Sequence, residues 1–261
     1  MKISRELREY AETPDRYAHV VPGSSVSRFD DGRVCVIQGA TWASVSAPNV
    51  AEDEVDALLA EVRSLIPPDK LTTWWIGPSA RPADVVRRLE ALGLEQPSDR
   101  VSRLVSLART DEPAAIPDGI EVRRVETYDD FVAAREVQWD AFETTDERRA
   151  VSRPRLREDF DESMRLGVPV GYIASLDGRS AASAMSIPSE RGVFLIAGAV
   201  APWARGRGLY RALVRARWDD AVARGTPALV TQANPETSYP ILRRLGFEQV
   251  CEIRRLEDAR S

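Results

Sequence analysis

The chain of 261 residues has little of what much enzyme chemistry uses. It carries one histidine, His19, so a Ser–His–Asp triad would rest on that single side chain and a multi-histidine metal site is excluded. Its two cysteines, Cys35 and Cys251, show no metal-ligand spacing, and one pair makes no disulfide framework; both read as buried or incidental. Lysine occurs only at Lys2 and Lys70, so nearly all positive charge is arginine. No apolar run approaches the roughly 18 residues that a membrane span needs. The opening residues, MKISRELREYAETPDRY, lack the apolar core of a signal peptide, and the expected location is cytoplasmic. A net charge of −5 argues against a nucleic-acid partner and is compatible with a cationic substrate.

What is present is a chain 43% hydrophobic and 30% charged, a globular composition long enough for one or two domains. Its most informative stretch is Val193 to Gly225. Val193 to Val200 is an apolar run read as a buried strand. Ala201 to Gly208 is a turn with Pro202, Gly206 and Gly208, and Leu209 to Ala223 reads as a helix stopped by Gly225. A strand, a glycine turn and a helix start make an anion site: the first helical N–H groups have no intrahelical partner, they carry partial positive charge, and glycine lets a phosphate approach the main chain. Arg205, Arg207, Arg211 and Arg215 add cations. A Walker loop is excluded because no GK[ST] follows, and a Rossmann turn because Arg211 stands where its last glycine belongs.

Arg205 and Gly208, preceded by Val200 and Pro202, resemble the [RQ]xxGx[GA] coenzyme A loop of the GNAT superfamily of acyltransferases. The departure is Tyr210, where that family usually has Gly or Ala; its ring either turns off the helix or crowds the pyrophosphate. Asn234 and Leu245-Gly246-Phe247 form a second signature. The resemblance covers roughly Ile120 to Arg255 and implies an α/β (α+β) fold with a mixed, mostly antiparallel sheet flanked by helices.

The first half shares the plan. Leu89 to Gln96 and Leu242 to Gln249 both read LxxLG[LF]EQ, and Ala57-Leu58-Leu59 lies upstream much as Ala212-Leu213-Val214 does; internal repeats set architecture. The expected organisation is two tandem GNAT-like domains: a degenerate copy over 1–110, a proline-containing linker over 111–117, and an acetyltransferase domain over 118–261. The first copy has Ser44 to Val50 in place of the arginine–glycine loop and should hold no pyrophosphate. Its expected role is to pack on the second copy and shape a wall of the substrate cleft.

Acyl transfer needs an anchored donor, a polarised carbonyl, a deprotonated amine and a neutralised thiolate. The resemblance implies acetyl-CoA (coenzyme A) as cosubstrate, held by Ala199, Val200, Arg205, Gly206, Arg207, Gly208, Leu209, Tyr210, Arg211 and Asn234. The family's thiolate acid, a tyrosine, falls here on Leu242, which donates no proton; Tyr239 and Ser238 are the candidate substitutes. Glu143 is the candidate base, alongside Asp140, Asp146, Glu147, Glu190 and Glu236. No metal is expected. The function implied is N-acyl transfer, most simply acetylation of a primary amine of a small molecule. The rivals are a coenzyme-A-binding protein without catalysis and a protein-interaction module.

Overall fold

The computed structural model describes residues 3–22, 24–97 and 101–259. The chain forms two compact units, one made of Lys2–Ala108 with Gln232–Ser261, the other of Arg109–Thr231. Among the described residues no helix is long and apolar enough to cross a membrane.

In chain order, the first unit holds α1 (Arg5–Glu12), β1 (Ser27–Asp30), β2 (Cys35–Gln38), β3 (Trp42–Ser46), α2 (Val55–Leu65), β4 (Leu71–Ile76), α3 (Val85–Ala91) and β5 (Arg103–Arg109). The second holds β6 (Ile120–Arg124), α4 (Tyr128–Ala141), α5 (Asp146–Ser152), α6 (Leu156–Leu166), β7 (Val170–Leu176), β8 (Arg179–Ser189), β9 (Gly192–Val200), α7 (Leu209–Ala223) and the start of β10 (Leu229–Ala233). The chain then returns to the first unit with α8 (Ser238–Arg244) and β11 (Glu248–Asp258).

In the first unit the strand order is β1-β2-β3-β4-β11-β5. Helix α2 buries Val55, Leu58, Leu59 and Val62, the one-face spacing of an amphipathic helix. Those residues join Val45, Trp74, Ile76, Leu89 and Leu256 in one apolar core. In the second unit the order is β10-β9-β8-β7-β6. Asp177 and Gly178, both at positive φ (51° and 78°), turn β7 into β8, as the Asp-Gly pair predicts. Leu209, Ala212 and Leu213 of α7 pack with Ala182 and Ala184 of β8. Between those alanines, Ser183 donates its hydroxyl to the Ala134 carbonyl of α4 at 3.1 Å. Alternate β8 residues thus serve the two helices, the period-two geometry of a strand.

The internal repeat has a physical counterpart. Both units contain a parallel strand pair joined through a helix: β3, α2 and β4 in one, β9, α7 and β10 in the other. The two LxxLG segments end their helices with the same hydrogen bonds. Leu94 N–H reaches Leu89 C=O at 3.0 Å, and Phe247 N–H reaches Leu242 C=O at 3.1 Å. Gly93 and Gly246 supply the positive φ, 94° and 81°, that this left-handed cap requires.

Three features of the fold lie outside what the sequence pattern indicates. The domain boundary expected to keep 118–261 together does not describe the compact units, because β11 lies between β4 and β5 and belongs with the first unit. It pairs antiparallel with both, from Arg254↔Ile76 to Asp258↔Thr72 and from Glu248↔Ala108 to Arg254↔Arg103, and its Leu256 is fully buried in that core. Hydrophobic pattern marked β11 as a strand but carries no record of its partners. Strand β1 was not anticipated because all four residues are exposed. Helix α5 was not anticipated because it buries nothing; its start is fixed by Thr145, whose hydroxyl accepts from Arg148 N–H at 3.4 Å.

A chain lacking residues 1–108 would keep β11 and lose its partners β4 and β5. It is expected to precipitate on expression, exposing Ile253 and Leu256. A soluble, cooperatively melting fragment would show that β11 needs neither neighbour.

Candidate functional site

The site is built at the end of β9. Its ladder to β10 runs from Leu229↔Val193 to Thr231↔Leu195, so residues 196–200 have no strand partner on that edge. On the other edge Met185 pairs with Ile196 and Ser183 with Ala199. Ala197 and Gly198 therefore face Ala184 together, a β-bulge, with Ala197 at φ 50°. A bulge of this kind re-aims backbone groups where pairing ends. Ala199 and Val200 pair with β8 through Ser183 and Ala182 and leave their opposite edge open.

The chain leaves β9 through a short 3-10 turn, Pro202–Ala204, held where Ala201 N–H donates to Ala181 C=O at 2.8 Å. Gly206 and Gly208 take φ of 78° and 87°, and α7 begins without a side-chain cap. Of the backbone N–H groups of Gly206, Arg207, Gly208, Leu209, Tyr210 and Arg211, none has a hydrogen-bond acceptor among the described residues; the first bonded amide is Ala212, to Gly208 C=O at 3.0 Å. Six successive unpaired donors at a positive helix end form an anion cradle. Leu209 is buried and anchors the helix start, whereas Arg205, Gly206 and Arg207 are exposed.

The equivalent turn of the first unit is closed. Asn49 N–H donates to Arg33 C=O at 2.7 Å and Val50 N–H to Arg81 C=O at 3.3 Å. Ala51 N–H donates to the Glu54 carboxylate at 2.9 Å. There the chain supplies its own anion and acceptors.

The arginines divide by task. Arg205 donates to the Ala141 carbonyl at the end of α4, 3.3 Å away. Arg207 is exposed and makes no ion pair among the described residues. The Nε of Arg211 is buried without a partner. Arg215 is committed to Glu112 at 2.7 Å and Asp219 at 2.8 Å, so it pins the segment before β6 and is not a free phosphate ligand.

Tyr210 turns its ring toward the sheet, away from the cradle. A Cβ built on Gly198 would meet the Tyr210 Cε2 at 2.7 Å and its hydroxyl oxygen at 3.3 Å. The sequence singled out Tyr210; a glycine at 198, inside the Val193 to Val200 strand pattern, was the available signal of close approach. Beneath the ring lies Arg217, 1% exposed, whose Nε donates to Leu213 C=O at 2.9 Å. Burial pushes the Arg217 pKa down, and the phenols of Tyr210 and Tyr172 oppose that shift.

Glu143 follows α4 at φ 51°. With Asp140, Asp146, Arg149, Pro202 and Trp203 it lines an open depression of about 580 Å³. Arg149 pairs with Asp140 at 3.1 Å, and Arg179 lies over the Trp203 ring at 4.1 Å. The structure thus brings together Ala199, Val200, Arg205–Arg211 and Glu143 in the second unit. Asn234, Ser238 and Tyr239 belong to the first unit, where they bond to one another and to β11. Asn234 N–H donates to Ser238 Oγ at 3.0 Å, Glu236 N–H to Asn234 Oδ1 at 2.8 Å, and the Tyr239 hydroxyl to Gln249 Oε1 at 2.9 Å. Leu242 is 1% exposed. Among the described residues no three His, Cys, Asp or Glu side chains cluster closely enough to bind a metal.

Because the Tyr210 ring occupies the space a Cβ at 198 would need, Gly198→Ala is expected to cost about 1–3 kcal/mol by overpacking. Adding Tyr210→Ala should make the alanine at 198 nearly neutral, with a coupling of at least about 1 kcal/mol in a double-mutant cycle. Additive losses in denaturant melts would show that ring and strand do not touch.

No family model and no curated protein matches the chain. Solved structures do. A GCN5-related N-acetyltransferase from Kribbella flavida is 17% identical, with 90% of each chain covered and a TM-score of 0.63. One from Sphaerobacter thermophilus is 18% identical over 98% of this chain and 85% of its own, TM-score 0.55. A tandem GNAT protein from the clavulanic acid biosynthesis pathway is 16% identical over 97% of this chain and 93% of its own, TM-score 0.57. Whole-length superposition on a tandem protein accounts for the repeated strand–helix–strand plan, and the chain has the fold of the GCN5-related N-acetyltransferases.

Proposed function

We propose that the chain is an acyl-CoA-dependent N-acyltransferase that moves an acetyl group from acetyl-CoA to the amine of a small molecule. The observation that carries this reading is the row of six unpaired N–H groups from Gly206 to Arg211. A pyrophosphate matches it in charge and acceptor number, and Arg207 and Arg211 stand beside it. Charge-assisted bonds of this type contribute roughly 1.5–3 kcal/mol each. The open edge of β9 at Ala199 and Val200 suits an amide-bearing arm, which would add to the sheet as a strand does.

Acetyl-CoA would supply an activated thioester. The chain's own contributions are position and charge. A backbone N–H freed at the bulge offers a hydrogen bond to the thioester oxygen, an effect worth up to about 3–4 kcal/mol in the barrier. Glu143, with Asp140 and Asp146 beside it, attracts an ammonium ion and takes its proton, so that the neutral amine attacks the carbonyl carbon. The departing sulfur has an intrinsic pKa near 8.5 and leaves as thiolate or takes a proton from water. A second reading, coenzyme A binding without turnover, is favoured by the Tyr210 ring over Gly198, on the strand that would carry the thioester.

Calorimetric titration with acetyl-CoA tests the cradle: saturable binding is expected, weakened at least tenfold in Gly208→Ala. That residue sits at φ 87°, and its added Cβ would meet Pro117 at 3.0 Å. Absence of binding would overturn both readings. Thiol release with an amine library then separates them, and Glu143→Gln should lower kcat more than tenfold. Binding without thiol release for any amine would leave the second reading.

A further inference from the structure

Away from the cradle, a small cavity of about 40 Å³ lies in the second unit, lined by Phe131, Arg135 and Gln138 of α4, Ser163 of α6, and Ala184 and Met185 of β8, among others. Its lining is mainly apolar, and Arg135 is its one charged residue. Arg135 is mostly buried and makes no ion pair within 4 Å among the described residues. One of its nitrogens donates to Gln138 Oε1 at 3.2 Å, and its plane lies 5.4 Å over the Phe131 ring. A guanidinium only donates, so Gln138 must turn its oxygen to Arg135 and its amide hydrogens elsewhere. Gln138 is 8% exposed, and no protein acceptor takes those hydrogens among the described residues. The Ser163 hydroxyl likewise has no partner there.

Arg135 can only donate, and no carboxylate lines the cavity. Asp159 on α6 is the nearby acid. It supports the Arg135 charge, while burial pushes the Arg135 pKa down. A cation held in a dry setting without a bonded counter-charge is costly. An anion in the cavity removes that cost.

Size and position narrow the anion. About 40 Å³ exceeds the roughly 10–15 Å³ that one water needs, room for a small anionic group. Ala184 lines the cavity and is the residue that the β9 bulge, Ala197 with Gly198, faces across the ladder. Neighbouring strands lie about 4.8 Å apart. Ala184 is thus the lining residue that neighbours the bulge in the sheet.

We propose that this cavity binds the carboxylate of the acyl acceptor, so that the amine acetylated is that of an amino-carboxylate compound. The inference rests on the acyltransfer reading and assigns Arg135, Gln138 and Ser163 as its specificity-determining residues.

The test uses the full chain and matched probes: N-acetylglycine, N-acetyl-β-alanine and N-acetyl-γ-aminobutyrate against their carboxamides, followed by thermal melting. At least one carboxylate should raise the melting temperature saturably and bind at least tenfold tighter than its amide. Arg135→Gln should erase that preference, and Gln138→Leu or Ser163→Ala, which serve if Arg135→Gln does not fold, should reduce it at least threefold. In turnover, the free amino acids should show a lower KM than their amides at similar kcat, after correction for the fraction of neutral amine. Equal response to acid and amide, a preference that survives Arg135→Gln, or a cavity that holds water alone would overturn the proposal. Acetyl-CoA titration of the same variants reports on the acyltransfer reading separately, because none of the three residues belongs to the cradle.

Discussion

A helix that begins in solvent with nothing to cap it leaves its first amide hydrogens looking for an acceptor. In the second unit α7 begins this way, and much of the surrounding structure holds that beginning in place. Leu209, Ala212 and Leu213 are buried against β7 and β8, so the first turn cannot fray without exposing core. Gly206 and Gly208 accept left-handed backbone that would cost another residue strain. The β9 bulge and the end of its pairing with β10 set the direction in which the turn leaves the sheet. Those amides stay open to an outside acceptor, the setting in which helix starts hold anions.

The first unit shows what happens when that constraint is relaxed. It keeps a parallel pair and crossover helix, but Glu54 turns back onto Ala51 N–H, and Arg33 and Arg81 offer carbonyls to the neighbouring amides. A self-capped turn stabilises its helix and gives up ligand chemistry. The two turns thus differ: one closes on its own chain, the other stays open.

The anion cradle was legible because its requirements are local. Two glycines, flanking arginines, a preceding apolar run and a following helix lie within one short segment. The helix ends at Leu92 and Leu245 were legible for the same reason. What stayed hidden depends on neighbours distant in sequence. The ring of Tyr210 finds its place because residue 198 is glycine, a match that neither residue announces alone. Arg135 and Gln138 carry no local signal in the sequence, and only α6 and β8 enclose a cavity beside them. Helix α5, capped by Thr145 but burying nothing, has no apolar stripe for a periodicity argument to detect.

The placement of β11 bears on how the molecule comes into being. Arg103 and Arg254, adjacent in the sheet, are made about 150 positions apart, and contacts so remote close slowly. On the ribosome, Arg109–Thr231 emerges in one continuous run and can collapse while β4 and β5 still await the strand that separates them. The usual order of co-translational folding, N-terminal part first, is reversed: the middle of the polypeptide is ready before its beginning. During that interval the open edges of β4 and β5 invite pairing with a second nascent chain.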